Sequence, residues 1–235
     1  MHRVKIEILK DATKKYQGKF LYLDTDTCFL DTPEKIFSLI IPKNYLMHLP
    51  EGTIGSRKNL TFKKLNAFLK KHKYTLPIGK NTLPFTTDLV MWNAGVLGFC
   101  SDEAELLEKV LTFTDSFYQL YPKHIAEQLA FSYYWQANLF ATNNYIFHYW
   151  NFKEFRKILR QFFEVFAKAS LEECIWAFPK ILPENLMKNK LAYENLPFLQ
   201  KTWRKILRNK WQMPKVDVKT LLLDAKKHFQ NCSAQ

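Results

Sequence analysis

The segment Phe20-Leu21-Tyr22-Leu23-Asp24-Thr25-Asp26-Thr27 places two carboxylates, one residue apart, directly after a short apolar run. Because the run from Phe20 to Leu23 would be apolar on both faces of an extended chain, it predicts a buried central strand whose sheet is covered by helices. Side chains that follow such a strand project into the crevice at its carboxyl end, where open α/β sheets bind ligands. The segment therefore predicts an α/β fold with a site at Asp24 and Asp26.

The two carboxylates have a metal-binding and a structural interpretation. Carboxylate oxygens suit hard cations such as Mg²⁺ or Mn²⁺, which in turn neutralise a diphosphate. Like charges side by side are costly unless a cation joins them. The structural alternative is a turn in which Asp24 and Asp26 cap neighbouring backbone amides. We expect the metal site, because turn chemistry of this kind rarely follows so apolar a strand.

The rest of the chain contains helical and strand-like patterns in alternation, followed by a basic helical tail. Predicted helices cover 4–16, 61–72, 102–119 and 123–137, and further strands cover 89–92 and 145–147. From 152 onward, phenylalanines line one face of a basic helix. We therefore expect an α/β core over 1–150 and a basic helical C-terminal extension over 151–235.

Charge and cysteine content restrict the partners and the compartment. The net charge of +13 predicts an acidic partner, such as nucleic acid, an anionic membrane surface or a phosphorylated small molecule. Four widely spaced cysteines form no zinc pattern and no disulfide framework, which favours a reducing compartment. The N-terminus lacks the apolar core of a signal peptide, and no apolar run reaches the roughly 18 residues of a membrane span. We expect a cytoplasmic protein, or one peripheral to the membrane.

Four segments, in this order along the chain, resemble motifs of one enzyme family. FLYLDTDTCFL over 20–30 resembles the DxD motif of GT-A-type glycosyltransferases, and MWNAGVLGF over 91–99 resembles the N-x-G strand of glycogenin- and galactosyltransferase-like families. AEQLAF over 126–131 resembles the acidic-Gln helix start of this group, and FHYW over 147–150 resembles the late histidine of its metal site. The resemblance covers about residues 1–155. It implies a GT-A-like mixed sheet flanked by helices.

The resemblance also implies an activity and a metal site. The activity is transfer of a hexose from a nucleoside diphosphate sugar to a glycan or lipid-linked acceptor, with Mn²⁺ or Mg²⁺ as cofactor. Asp24, Asp26 and His148 would be the protein ligands of the metal, with Asp26 the firmer of the two aspartates. Asp24 and Thr25 would also face the donor.

The remaining implied roles concern the sugar and the phosphates. Asn93, Ala94 and Gly95 would shape the sugar pocket, where a side chain at position 95 would block the donor. Glu127 and Gln128 would hold sugar hydroxyls or stabilise charge near the reacting carbon.

A phosphate contact and a general base complete the implied site. Lys153 would contact a phosphate, although the glycine and proline of the family pattern are absent beside it. An inverting reaction needs a carboxylate base, for which Asp88 and Glu127 are the candidates, whereas a retaining reaction does not need one. The sequence does not choose between the two.

Each of these residues also has a structural interpretation. His148 is then a hydrogen-bonded histidine at a strand end, the segment 93–95 an ordinary tight turn, and Glu127 a first-turn charge favoured by the helix dipole.

The sequence departs from the family at its start. Members usually place a nucleotide-binding strand-helix-strand unit before the DxD motif, whereas 23 residues precede Asp24 here. The pocket for the donor base therefore has no evident source. Either the core is truncated, or a partner supplies the missing part, or the fold is minimal. We expect a core that is incomplete at its N-terminus, so the resemblance does not by itself imply activity of this chain alone.

Two other classes of protein remain as alternatives. A phosphatase of the haloacid-dehalogenase type would use Asp24 as nucleophile and Asp26 as acid/base, but Cys28 stands where Thr or Val is expected. A non-enzymatic basic module would bind nucleic acid through tail cations interleaved with Trp203 and Trp211. No known nucleic-acid-binding motif supports this alternative, so we do not expect nucleic acid as a partner. The tail could also bind an anionic membrane, with 155–166 as its aromatic face, unless that face packs on the core.

Overall fold

The computed structural model describes residues 3–56, 60–150, 152–181, 189–190, 192–209, 211–212 and 215–233. The chain divides into two compact units, Met1–His148 and Tyr149–Gln235. The division lies close to residue 150, where the composition changes from mixed to basic and helical.

The first unit is mixed α/β. Its described helices are α1 (Val4–Lys15), α2 (Pro33–Leu39), α3 (Leu60–Lys71), α4 (Ala104–Leu120) and α5 (Ala126–Trp135). Its described strands are β1 (Lys19–Leu23), β2 (Thr27–Phe29), β3 (Tyr45–Met47), β4 (Pro50–Thr53), β5 (Thr75–Ile78), β6 (Asn81–Pro84), β7 (Val90–Trp92), β8 (Val96–Cys100), β9 (Leu139–Ala141) and β10 (Ile146–His148).

A four-stranded mixed sheet organises the first unit. Its strand order is β1-β8-β3-β9, with antiparallel pairs β1–β8 and β3–β8 and a parallel pair β3–β9. Three antiparallel pairs lie beside it, β2–β10, β4–β7 and β5–β6. The α/β class expected from the sequence is therefore confirmed as a mixed sheet with helices.

Helices cover both faces of this sheet because its interior strand β8 is apolar on both. All five residues of β8 are buried. Leu97 and Phe99 face a large core that includes residues of α1, α3, α4 and α5. Val96 and Cys100 face a smaller core that includes Ile36 and Ile40. This alternation follows from the two-residue period of a strand.

The sheet does contain a fully buried interior strand, as predicted, but this strand is β8 and not the predicted segment 20–23. β1, which carries the apolar run before Asp24, pairs in the sheet with β8 alone and is only partly buried. β8, which follows Asn93-Ala94-Gly95, takes an interior position between β1 and β3. Both strands pack against the two cores, β1 with Phe20 and Tyr22 on one side and Leu21 and Leu23 on the other, so hydrophobicity could not distinguish the edge strand from the interior one.

The second unit is helical over its described residues. It contains α6 (Phe155–Val165), α7 (Leu171–Ile181), α8 (Phe198–Ile206) and α9 (Val218–Ser233). The phenylalanine stripe of α6 is turned inward: Phe155 and Phe162 are fully buried, and Phe162 stacks on Phe166 with ring centroids 4.3 Å apart. Of the two interpretations of 155–166, the burial of this face favours packing within the protein over an aromatic face offered to a membrane. Phe163, about 100° from Phe162 around the helix, is exposed.

Across the described part of both units, no helix combines the length and the apolar composition needed to cross a bilayer.

Candidate functional site

Three backbone segments bring the predicted metal ligands together. Asp24 follows β1, and its backbone N–H donates to the carbonyl of Gly95 over 2.8 Å, which extends the pairing of β1 with β8. β2 begins at Thr27 and pairs antiparallel with β10, so that Thr27 lies opposite His148. The donor atoms of Asp24, Asp26 and His148 consequently all lie within 4.8 Å of one another.

The imidazole of His148 is buried and is held by a defined hydrogen bond. Its side chain is 3% exposed, and its Nδ1 lies 2.9 Å from Asn93 Oδ1. The same Oδ1 accepts the backbone N–H of Gly95 over 3.0 Å, while Asn93 Nδ2 donates to Glu51 Oε1 over 3.2 Å. These partners assign the orientation of the Asn93 amide, so Nδ1 of His148 must carry a proton and donate it.

The second ring nitrogen of His148 faces the carboxylates. Nε2 lies 3.1 Å from Asp26 Oδ1 and 4.0 Å from Asp24 Oδ2. Burial lowers the pKa of His148, and this effect outweighs the two carboxylates, which raise it. In the neutral ring the lone pair of Nε2 therefore points at carboxylate oxygens. Such an arrangement is repulsive unless a proton or a cation lies between the donor atoms.

The chemistry of the donor set also fits a cation. Asp24, Asp26 and Glu127 place three carboxylates around the cluster, and Lys5 is the cation that the described residues place among them. Lys5 Nζ lies 2.9 Å from Glu127 Oε1 and 3.3 Å from Asp24 Oδ1, and it donates to the carbonyl of Ala94 over 2.9 Å. Two carboxylates and an imidazole also form a donor set that suits Mn²⁺ or Mg²⁺.

Lys5 comes from α1 and was not predicted as a site residue. Its side chain is 14% exposed, and its ammonium lies 4.9 Å from the ring centroid of Tyr22. The Tyr22 hydroxyl donates to Asp24 Oδ1 over 3.0 Å, and burial together with Asp24 raises the pKa of this phenol. Burial also raises the pKa of Glu127, although Lys5 opposes the shift. Lys5 is one of several lysines in an amphipathic helix, where such residues are usually solvated, so the pattern contained no signal for it.

Glu51 is a second residue that sequence reasoning missed. Its Oε1 accepts from Asn93, and its Oε2 accepts from Gln128 Nε2 over 3.0 Å. It follows Pro50 in the short strand β4. Glu51 thus joins the predicted sugar-pocket residue Asn93 to the predicted helix residue Gln128, and it orients both amides.

His48 packs against the cluster from the side. Its ring stands edge-on to that of His148, with centroids 5.2 Å apart, and its side chain is buried. Burial is the main cause that lowers the pKa of His48 to about 4, and His148 contributes to the shift. Nδ1 of His48 is buried and has no hydrogen-bond partner in the described structure.

The predicted residues divide into those that the fold gathers and those that it does not. The first group comprises Asp24, Asp26, Asn93, Ala94, Gly95, Glu127, Gln128 and His148. Thr25 lies in the same turn with an exposed side chain. Asp88 is exposed, and within the described chain no hydrogen bond or ion pair connects it to the cluster. Lys153 is exposed and belongs to the second unit.

Comparison with known proteins adds no assignment: no family model, no curated protein and no solved structure matches this chain.

Proposed function

We propose that the first unit is the core of a metal-dependent GT-A-type glycosyltransferase, which transfers a hexose from a nucleoside diphosphate sugar to a glycan or lipid-linked acceptor. The observation that carries the proposal is the convergence of Asp24, Asp26 and His148, whose donor atoms lie within 4.8 Å of one another. The three residues lie on segments that resemble the DxD motif and the late histidine of that family. The mixed sheet flanked by helices is compatible with a GT-A-like fold.

The chain's own residues have distinct parts in this proposal. Asp24, Asp26 and His148 would hold Mn²⁺ or Mg²⁺, which when bound neutralises charge on the leaving diphosphate. Lys5 holds Asp24 and Glu127 in place with its ammonium.

The side-chain amides of Asn93 and Gln128, beside the metal ligands, would hold the sugar. Asn93 and Gln128 are both oriented by Glu51, so their positions are fixed before a ligand binds. For an inverting reaction, Glu127 is the candidate base within the cluster, since it contacts Lys5 and has a pKa raised by burial.

Calorimetric titration of UDP and of GDP, each with and without Mn²⁺, tests the proposal. We expect one of the two nucleotides to bind in a Mn²⁺-dependent manner. The variant Asp26→Ala is expected to abolish that binding while the protein stays folded. Asp31→Ala is the matched control, because Asp31 lies in the same segment but pairs with Lys35 outside the cluster.

Three outcomes would contradict the proposal. Mn²⁺-dependent binding that survives in Asp26→Ala would remove the metal assignment. Absence of binding of either nucleotide by the folded protein would remove the donor site. Release of phosphate from a generic aryl phosphate, lost in Asp24→Ala, would favour the phosphatase alternative instead.

A further inference from the structure

The helix α8 in the second unit exposes nearly all of its large apolar side chains. No residue of α8 is buried. The exposed fractions are 80% for Phe198, 71% for Leu199, 63% for Trp203, 66% for Ile206 and 69% for Leu207 at the C-cap. Isolated exposed apolar residues are normal on protein surfaces, but four of these five share one side of the helix and form a patch that calls for a partner, whereas Phe198 lies nearer the basic side.

The apolar and basic side chains of α8 occupy opposite sides of the helix. With about 100° between successive residues, Leu199, Trp203, Ile206 and Leu207 fall within one arc of about 100°. Lys201, Arg204 and Lys205 fall on the opposite arc. We call these two sides the apolar arc and the basic arc of α8.

The cations of the basic arc are available to a partner. None of Lys201, Arg204 and Lys205 forms an ion pair with any residue that the structure describes. Arg208, which follows the helix, likewise has no ion pair within the described chain. The whole second unit is basic, with 17 Lys and Arg against 8 Asp and Glu over 149–235. The chemistry around the apolar arc therefore complements an anionic surface.

We propose that α8 binds the surface of an anionic phospholipid bilayer, with its apolar arc among the acyl chains near the headgroups and its basic arc on the lipid phosphates. This is the arrangement of interfacial amphipathic helices. The inference does not depend on the donor site, since it concerns residues of the second unit alone.

Other partners fit these observations less well. Nucleic acid would use the basic arc and Trp203, but it would leave Leu199, Ile206 and Leu207 in water. A symmetric dimer through α8 would cover the apolar arc but would leave the cations of the opposite, basic arc without an anionic partner. A lipid surface satisfies both arcs at once. A helix of nine residues anchors only weakly, so we expect reversible binding.

Co-sedimentation with vesicles tests the proposal. The probes are vesicles of phosphatidylcholine alone and vesicles of three parts phosphatidylcholine to one part phosphatidylglycerol. We expect the full chain to bind the anionic vesicles and not the neutral ones. A blue shift of the tryptophan emission should accompany binding and should be reduced in Trp203→Phe.

Two pairs of variants separate α8 from general surface effects. Leu199→Ser/Ile206→Ser should lower the partition coefficient at least tenfold, whereas Leu171→Ser/Ile175→Ser should leave it unchanged. The second pair is a matched control, because Leu171 and Ile175 of α7 are 69% and 64% exposed.

The charge contribution has its own pair of variants. Lys201→Gln/Lys205→Gln should weaken binding roughly fivefold per lysine. The control Lys226→Gln/Lys227→Gln removes two exposed lysines from α9 and should have little effect.

Four results would overturn the proposal. These are absence of binding to anionic vesicles, equal binding to neutral vesicles, equal loss in the α7 control pair, and displacement of the vesicles by RNA or DNA that itself binds through α8. A further overturning result comes from sedimentation velocity. If the chain is a dimer and Leu199→Ser/Ile206→Ser dissociates it, the partner of α8 is a second copy of the chain.

Discussion

Gly95 and His148 lie so close that no side chain fits at position 95. An ideal Cβ on Gly95 would lie 2.0 Å from His148 Cε1 and 2.3 Å from its Nδ1. The imidazole thus occupies the space that any other residue at 95 would need. The turn between β7 and β8 and the end of β10 depend on each other at this point, because the position of His148 requires a glycine in the turn.

The first prediction concerns Gly95→Ala. The added methyl group must displace the His148 ring, so we expect loss of Mn²⁺ binding and a destabilisation of about 1–3 kcal/mol. Titration of Mn²⁺ and urea denaturation measure the two effects. Gly98→Ala is the control, since its Cβ would meet the Leu46 side chain at 2.9 Å, away from the cluster. A Gly95→Ala variant that binds Mn²⁺ normally would show that His148 is not a ligand.

The second prediction concerns His148→Ala. The variant removes one of three donor groups, so we expect Mn²⁺ binding at least tenfold weaker, a smaller loss than in Asp26→Ala. Circular dichroism checks that the variant remains folded, because His148 is 3% exposed and its loss leaves a cavity. Unchanged Mn²⁺ affinity would assign His148 a purely structural role at the end of β10.

The same ring predicts the pH dependence of metal binding. The pKa of His148 lies below its ordinary value, so the ring stays neutral, and its Nε2 available, as pH falls through the range in which an exposed histidine is protonated. We expect Mn²⁺ affinity to change little from pH 7.5 to about pH 6.5 and to fall at lower pH. If Mn²⁺ affinity already fell steeply as the pH was lowered from 7.5 to 7, the lowered pKa of His148 would be contradicted.

The third prediction concerns Lys5→Met. Lys5 and Glu127 are both largely shielded, with side chains 14% and 13% exposed, so removing the ammonium leaves an unpaired carboxylate. We expect a loss of about 3 kcal/mol in the free energy of unfolding, measured with urea. The double variant Lys5→Met/Glu127→Gln should recover much of this loss. Equal losses in the single and double variants would contradict the pairing.

Lys10→Met is the matched control for Lys5. Lys10 lies on the same helix with a side chain 16% exposed, but its partner Glu108 is 63% exposed. Because water screens an ion pair with so exposed a member, we expect a loss of only about 0–1 kcal/mol.

The fourth prediction concerns the pH dependence of stability. His48 has a pKa of about 4 in the folded chain and an ordinary pKa of about 6.5 when unfolded. The unfolded state therefore binds more protons between these values, so His48 contributes stability above pH 6.5 that is lost as pH falls. At pH 5 the loss amounts to about 2 kcal/mol.

Urea denaturation of the wild type and of His48→Gln at pH 7.5 and pH 5 measures this contribution. We expect the difference between the two pH values to be smaller in His48→Gln. An identical pH dependence in His48→Gln would show that His48 does not titrate as stated.

Local sequence patterns determined the class of fold and the first half of the candidate site. The spacing of Phe62, Leu65 and Leu69 predicted the helix that the structure has as α3, since residues three and four apart share one helix face. The apolar run followed by Asp24 and Asp26 predicted a strand that ends at a pair of carboxylates, which β1 and the turn after it confirm. The helix and the strand end depend only on residues that are close in the chain, so both can be predicted from the sequence alone.

Tertiary structure alone decided which distant residues meet. Strand pairing placed β8, not β1, in the interior of the sheet, and the β2–β10 pair brought His148 to Asp26 across 122 positions of sequence. The packing of α1 directed Lys5 into the cluster, and β4 brought Glu51 to Asn93 and Gln128. The periodicity of a sequence indicates whether a residue is buried, but it does not indicate which distant residues it contacts. A charged residue that becomes buried through a distant partner has the same sequence pattern as one in water.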